Sequence, residues 1–393
     1  MSEPLTVFIV TGEHSGDTLG GRLMAAMKRS SDREIVFEGL GGEQMIAQGL
    51  ETLFPLDEVT VMGPLAILKQ YPRLRRRALE CVEAGVRANP DLVIIIDAPE
   101  FTHPIAKRIR KRRPDIPIVN YVSPSVWAWR PGRAKKMRPY VDHLLALLPF
   151  EPEAHERLGG PPCTYVGHPL VAKFADLDAL DTSDFAARHG LDPTARTLLV
   201  LPGSRTSELD RLLTPFRQTV ERICAGDTPP RIVIPTVAKH VERLRAETAD
   251  WPGAPVVVTG EADKWAAFKR ADAALAASGT VTLELAIAGC PMVVAYKVDP
   301  FAATLRFLVN VPSIVLANLV LASNAFPEFI QEDCEPERMA AALGPLLDPE
   351  STEHATQREA LAAIRATLLQ DGVDPGDAAA AVVFDVLKAH GRA

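Results

Sequence analysis

The sequence is poor in cysteine and has none in pairs. Five stand in 393 residues, at Cys81, Cys163, Cys224, Cys290 and Cys334, far apart and with no C-x-x-C spacing. That argues against a disulfide framework and a thiolate zinc site, and fits reduced, mostly buried thiols of the cytoplasm. No run approaches the roughly 18 uncharged apolar residues that a spanning helix needs. The start, MSEPLTVFIVTGEHSGD, has no basic flank before its short apolar run and reads as a first strand, not a signal peptide. Neither a Walker A loop nor G-x-G-x-x-G is present. There is no repeat of solenoid period and no low-complexity tract, and the 33 prolines fall mostly at strand ends as punctuation.

What is present is ordinary globular usage, 47% hydrophobic and 24% charged, in a chain long enough for two cores. The net charge of −7 resides wholly in the second half. In the first half basic side chains cluster at Lys69–Arg77, Lys107–Arg113 and Arg130–Arg138. An acidic chain with no recognisable nucleic-acid module is not expected to bind nucleic acid. An anionic substrate or an anionic membrane surface accounts for a local basic face.

Short apolar runs alternate with longer amphipathic stretches throughout. LTVFIVTG (5–12), IVFEGLGG (35–42), DLVIIIDAP (91–99), IPIVNYVSPS (116–125) and DHLLALLPF (142–150) form one series. TLLVLPGSR (197–205), RIVIPTV (231–237), PVVVTG (255–260), DAALAASG (272–279) and PMVVAY (291–296) form a second. The runs of the first series are each too short for a helix and stop at Gly or Pro. Strand–helix alternation predicts an α/β protein of two doubly wound, Rossmann-like parallel sheets. The expected domains are 1–170 and 171–350, with two closing helices in 351–393. Function is expected in the segments just after the strands, in a cleft between facing domains.

Three such segments carry chemistry. Gly12-Glu13-His14-Ser15-Gly16-Asp17 follows the first strand with small residues that let backbone approach a ligand, and Ser15 and Asp17 can cap the helix or bind hydroxyls. Leu201-Pro202-Gly203-Ser204-Arg205 has the composition of a diphosphate clamp, because guanidinium pairs with phosphate oxygens through two bonds. Ser278-Gly279-Thr280 opens a helix whose positive end can face an anion, and Glu284, one turn in, can accept both hydroxyls of a ribose. Asp91, Asp97 and Glu100 flank the third run as candidates for general-base work on an acceptor hydroxyl. Trp127 and Trp129 stand beside a basic run and can stack on sugars or seat acyl chains. Asp176-Leu177-Asp178 resembles a metal-binding D-x-D but follows no strand, and no histidine has a metal-spaced partner, so neither metal nor cofactor is expected.

Taken in order, these motifs resemble the lipid-A-disaccharide synthase family. The match rests on Gly-Glu-His-Ser-Gly-Asp at 12–17, Ser-Pro-Ser-Val-Trp-Ala-Trp-Arg at 123–130, Phe-Glu-Pro-Glu at 150–153 and Val-Gly-His-Pro-Leu at 166–170. It continues with Leu-Pro-Gly-Ser-Arg at 201–205, Ala-Ser-Gly-Thr-x-x-Leu-Glu at 277–284 and Cys-Pro-Met-Val-Val at 290–294. The resemblance implies a GT-B glycosyltransferase on the inner face of the inner membrane. It would join UDP-2,3-diacylglucosamine to 2,3-diacylglucosamine 1-phosphate (lipid X) through a β-1,6 bond, releasing UDP with inversion. It places Ser15, Gly16 and Asp17 in the acceptor loop, and Asp91 and Glu100 at acidic positions tied to catalysis. Gly203, Ser204, Arg205, Ser278, Gly279, Thr280 and Glu284 would hold UDP, with Asn318, Glu328 and Gln331 facing the donor. His14 stands where Ala is familiar and Glu100 where Asp is, which keeps the base open among Asp17, Asp91, Asp97 and Glu100.

The partners implied are the two acylated sugars and the anionic inner-membrane surface; a homodimer is compatible with the sequence. For the surface, the apolar stretch with Met62, Leu65 and Leu68 runs into Arg73, Arg75, Arg76 and Arg77, the composition of an interfacial anchor. Two rivals share the fold: a UDP-N-acetylglucosamine 2-epimerase and a non-catalytic nucleotide-sugar-binding regulator. UDP release that depends on lipid acceptor separates the first, and single-turnover product the second.

Overall fold

The short apolar runs become strands wherever both faces find cover. A computed structural model describes residues 3–60, 64–253, 255–299, 311–369 and 372–392, and side chains outside 61–69. The chain forms two compact units, residues 1–171 with 370–393, and residues 172–369.

In the first unit seven parallel strands lie in the order β3-β2-β1-β4-β5-β6-β7. They are β1 Leu5–Thr11, β2 Ile35–Leu40, β3 Glu51–Thr52, β4 Leu92–Ile96, β5 Ile118–Tyr121, β6 His143–Ala146 and β7 Cys163–Tyr165. Strand β4, Leu-Val-Ile-Ile-Ile, is buried at every position, as expected of a central parallel strand covered on both faces. One apolar layer joins β1 and β4 to the helices His14–Ser30 and Pro375–Ala389 through Leu23, Met27, Val383 and Leu387. The other packs Phe8, Val93 and Ile95 on Val82, Ile105 and Ile109 of the helices Pro64–Ala88 and Pro99–Arg112.

The second unit repeats the plan with six parallel strands in the order β10-β9-β8-β11-β12-β13. These are β8 Thr197–Leu201, β9 Arg231–Thr236, β10 Val256–Thr259, β11 Ala273–Ala277, β12 Met292–Tyr296 and β13 Glu328–Ile330. Its core sets Leu198, Val200 and Leu275 against Leu209, Leu212 and Phe216 of the helix Thr206–Cys224.

In both sheets the winding reverses beside the first strand, between β1 and β4 and between β8 and β11. At such a reversal the loops leave for opposite faces and open a crevice at the strands' carboxyl ends. The motif loops stand at those two points.

The expected closing segment 351–393 is divided. The helix Thr352–Leu369 belongs to the second unit, while Pro375–Ala389 returns to the first because its Ala379, Ala380, Val383 and Leu387 complete that core. Strands β3, β7 and β13 are absent from the sequence reading; two or three residues are too few to show a period.

Candidate active site

In the second unit the carboxyl ends of β8, β9, β10 and β11 surround a pocket of about 660 Å³, within the usual range for small-molecule sites. Gly203, Ser204, Arg205, Ser278, Gly279, Thr280 and Glu284 all line it. Their roles are unequal. The buried Glu208 turns back over its own helix end, and its Oε2 accepts from the backbone N–H of Ser204 at 3.0 Å and of Arg205 at 3.1 Å. This capping arrangement occupies the amides that a diphosphate clamp would offer. Gly203, at φ +113°, has no side chain because a Cβ there would come within 2.6 Å of the Glu208 Cβ. What remains for an anion is the Arg205 guanidinium. Its Nη1 is held by Glu208 Oε1 at 2.9 Å while 74% of the side chain stays exposed.

Across the pocket the helix Val281–Ala288 follows Thr280, and its amino end lines the cavity through Thr280 and Val281. Ser278 Oγ donates to the Ile314 carbonyl at 2.8 Å, which fixes the loop rather than reaching for a ligand. Glu284 meets Lys264 Nζ at 3.1 Å, and Lys264 also meets Glu261 at 3.1 Å. Lys264 lines the pocket as a second cation beside Arg205. Sequence reading missed it, since twenty positions separate it from Glu284 and only the fold pairs them.

Three residues expected to face the donor are used to tie the chain to itself. Asn318 is buried; its amide donates to the Phe326 carbonyl at 2.9 Å and to Ser313 Oγ at 3.2 Å, and accepts from Phe326 N–H at 2.9 Å. Glu328 Oε2 accepts from Ser313 Oγ at 3.1 Å and Ile314 N–H at 2.9 Å. Gln331 bonds Val298 N–H at 2.6 Å. None of the three lines the pocket.

In the first unit a mainly apolar pocket of about 850 Å³ opens beside the ends of β1 and β4. Leu74, Ala78, Phe101 and Pro104 give it an apolar wall, and Glu13, Ser15, Glu100 and Lys107 stand on its polar rim. Ser15 Oγ donates to Asp97 Oδ2 at 3.3 Å, which joins the loop after β1 to the turn after β4. Asp97 and Ala98 follow β4 at φ +49° and +41°, a left-handed pair without glycine. Such conformations cost about 1–3 kcal/mol each and concentrate at functional turns. Partial desolvation of the Glu13 carboxyl, and secondarily the Asp97 charge, raise its proton affinity above the ordinary carboxylate range. Glu13 was not singled out in the sequence, because nothing in the motif separates it from a loop acid.

Two expected catalytic acids stand elsewhere or are already engaged. Asp17 is buried and its carboxylate accepts three backbone bonds, from Gly42 at 2.8 Å, Gln44 at 3.0 Å and Met45 at 3.1 Å. It caps the helix Glu43–Ala47, and both of its oxygens already accept backbone bonds. Asp91 lies at the amino end of β4, about 20 Å from Asp97 by strand rise. There it accepts from Thr6 N–H at 2.9 Å and faces Arg392 at 3.7 Å. Gly16 is buried, and a Cβ there would run into Thr11 and Ile96, so the glycine permits close helix–strand packing.

Of the expected membrane residues, Met62 and the side chains of Leu65 and Leu68 lie outside the described residues. Arg73 meets Glu58 at 3.0 Å, and Arg77 meets Glu58 at 2.7 Å and Glu80 at 2.6 Å while its guanidinium lies 4.4 Å from the Phe54 ring centre. Arg77 therefore serves the fold, its charge already answered. Arg75 and Arg76 are exposed, and Arg75 borders the apolar pocket. Trp127 is packed edge-on to Phe150 and donates to Glu151 at 3.1 Å, whereas Trp129 is exposed beneath Arg130, whose guanidinium is 4.1 Å from the ring centre.

Solved structures share this architecture at low identity. UDP-GlcNAc 2-epimerase from Neisseria meningitidis superposes with a TM-score of 0.65 at 11% identity, covering 98% of this chain and all of that one. A glycosyltransferase from Rickettsia africae gives 0.61 at 10% identity, with full coverage of both. These establish the α/β fold of GT-B glycosyltransferases and related epimerases, and the fold alone. Sequence comparison goes further. The chain is 46% identical to lipid-A-disaccharide synthase of Nitrobacter hamburgensis over 98% of its own length and 96% of that protein. The same enzyme of Rhodopseudomonas palustris strain HaA2 is also 46% identical, with 98% and 97% covered. A sequence model described as Lipid-A-disaccharide synthetase matches residues 7–372. Likeness at this level over nearly the whole length decides between the two activities that share the fold: the chain belongs to the lipid-A-disaccharide synthetase family, glycosyltransferases of lipid A biosynthesis.

Proposed function

We propose that this glycosyltransferase joins UDP-2,3-diacylglucosamine to 2,3-diacylglucosamine 1-phosphate by direct displacement. The acceptor 6-hydroxyl oxygen attacks the anomeric carbon, the bond to the diphosphate breaks with inversion, and a carboxylate takes the hydroxyl proton. The observation that carries this reading is the pocket of the second unit, where Arg205 and the start of the helix Val281–Ala288 converge with Glu284. Charge accumulates on the leaving diphosphate, so a guanidinium and a helix end act chiefly in the transition state. Glu284 takes the ribose hydroxyls. Asp97 and Glu100, at the carboxyl end of β4, are the acids left for the base once Asp17 and Asp91 are accounted for.

The acylated substrates call for work at the inner face of the inner membrane. No helix among the described residues is long and apolar enough to cross a membrane, which agrees with peripheral attachment. Arg75 and Arg76 with the apolar stretch around Met62, Leu65 and Leu68 form the attachment surface in this proposal.

Arg205→Ala tests the reaction. Turnover should fall by about two to three orders of magnitude. Arg205→Lys should restore part of it, because an ammonium supplies charge but not the planar fork. The side chain is 74% exposed, so the fold should survive. Activity within about twofold of the parent would reject the assignment. UDP release without acceptor, together with epimerised sugar, would favour the isomerase.

A further inference from the structure

Next to the apolar pocket of the first unit is a second concavity, of about 520 Å³ and of different chemistry. Its walls come from the helix Pro99–Arg112 and the short helix Gly132–Met137. Lys107, Arg130, Arg133 and Lys136 line it against one carboxylate, Glu100. Glu100 pairs with Arg133, and no carboxylate within ion-pair distance answers Lys107, Arg130 or Lys136 among the described residues. Two of the four are steered by aromatic rings, Lys107 over Tyr140 at 4.9 Å and Arg130 over Trp129 at 4.1 Å. On the floor, buried His103 bonds the Tyr140 hydroxyl at 2.8 Å, and burial with the nearby Arg133 and Lys107 charges keeps its ring neutral. Above the Gly132 position a Cβ would meet nothing within 4 Å, so the space is open there.

Four converging cations with three left unanswered are costly to hold together, and most proteins pair or disperse them. A dianion of phosphate size resolves the excess, since Arg and Lys donate charge-assisted hydrogen bonds to its oxygens. Position adds the rest. The cationic and apolar pockets share Pro99, Glu100, Pro104 and Lys107, so one ligand can occupy both. A molecule that does so carries a phosphate monoester at one end and hydrocarbon at the other.

Resting on the acceptor chemistry given above, we infer that this cationic concavity is the subsite for the acceptor's anomeric phosphate. Lys107, Arg130, Arg133 and Lys136 bind it while the apolar pocket takes an acyl chain. Glu100, on the rim common to both pockets, then lies beside the sugar between them. The site thereby selects an acceptor that keeps its phosphate. A bilayer headgroup offers the same phosphate chemistry, but a recess shaped by two helices suits a single bound ligand better than a surface of many.

The test uses the full chain and the variant Lys107→Gln/Arg130→Gln/Lys136→Gln. All three side chains are exposed and free of carboxylate partners, so the melting temperature should hold and is checked first. The rate constant kcat/KM is measured with diacylglucosamine 1-phosphate and with the same sugar lacking its phosphate. The parent should prefer the phosphorylated acceptor, and the variant should lose that preference by about tenfold per cation removed, with the KM for the UDP-sugar unchanged. Equal losses on both acceptors, or a parent enzyme indifferent to the phosphate, would overturn the subsite. So would a variant that keeps its preference but no longer binds vesicles of anionic phospholipid, which would assign the cations to headgroups. Absence of disaccharide from the parent with either acceptor would instead reject the reaction itself, a different outcome from an indifferent parent.

Discussion

The two units share one winding and differ in where they spend their acidic side chains. In the second, Glu208 folds back on the loop that it follows, Glu284 meets Lys264, and Glu328 clasps the Ser313–Ile314 turn. In the first, Asp17 reaches away to cap a neighbouring helix, which leaves the strained pair Asp97 and Ala98 to shape the crevice. One crevice is stiffened by its own carboxylates; the other exposes acids beside an apolar wall. That contrast suits a rigid polar ligand on one side and an acylated one on the other.

Acid should break the comparison most strongly. His103, His155 and His168 of the first unit are buried, which holds each near pKa 4, well below the ordinary imidazole range. A base with its pKa depressed in the folded state contributes stability above its unfolded pKa near 6.5, lost as pH falls through 4. Glu151 runs the other way: burial lifts it to about 7, so its contribution grows as pH drops from 7 to 4.5. Three protons against one leave a net slope of roughly 2–3 kcal/mol per pH unit between 6.5 and 4.5. Hydrogen exchange followed peptide by peptide should show residues 1–171 losing protection in that window before residues 172–369. Parallel loss in both units would show that the buried imidazoles do not govern acid stability.

A pair of substitutions sharpens the difference between capping and catalytic acids. Asp17→Ala leaves three backbone amides without their acceptor, and the stability loss should be about 2–3 kcal/mol, with turnover per folded molecule retained. Asp97→Asn should lower the melting temperature little and turnover much more, if Asp97 rather than Glu100 is the base. Should Asp97→Asn turn over normally, Glu100→Gln has to show the deficit instead. Unfolding in urea and initial rates on the same preparations distinguish the cases.

The smallest effect separates two glycines of the second unit. Gly203→Ala forces a Cβ against Glu208, whereas Gly279→Ala, at φ +152°, meets only open space. Both incur the cost of a side chain at strongly positive φ, about 1–3 kcal/mol; the first should add to it by displacing the cap. Equal melting temperatures would show that Glu208 yields without loss.

The alternation of strands, the two sheets and the loops after β1, β8 and β11 were legible because periodicity and chain order carry them. The family, too, was legible, through motifs spread over the chain. What stayed hidden depends on direction. Asp17 and Asp97 look alike in sequence, yet one accepts from the amides of a neighbouring helix and the other from Ser15 and the Ala98 amide at its own turn. Asn318, Glu328 and Gln331 are polar residues in a plausible segment, but their partners Ser313, Phe326 and Val298 become neighbours only when the chain folds. Lys264 and Lys107 sit on helices whose facing side no spacing rule reveals, and Arg77 is neutralised by Glu58, nineteen positions earlier.

The return of the helix Pro375–Ala389 to the first unit sets an order of events during synthesis. Strands β1 to β7 leave the ribosome early, yet the layer over β1 and β4 lacks Ala379, Ala380, Val383 and Leu387 until the whole of the second unit has been translated. At about 5–20 residues per second, the roughly 200 residues of the second unit take on the order of 10–40 s to emerge. For that interval the nascent first unit shows an uncovered apolar stripe along Leu23 and Met27. The second unit, continuous in sequence, is complete before the first, whose helix His14–Ser30 waits for Pro375–Ala389 to seal it.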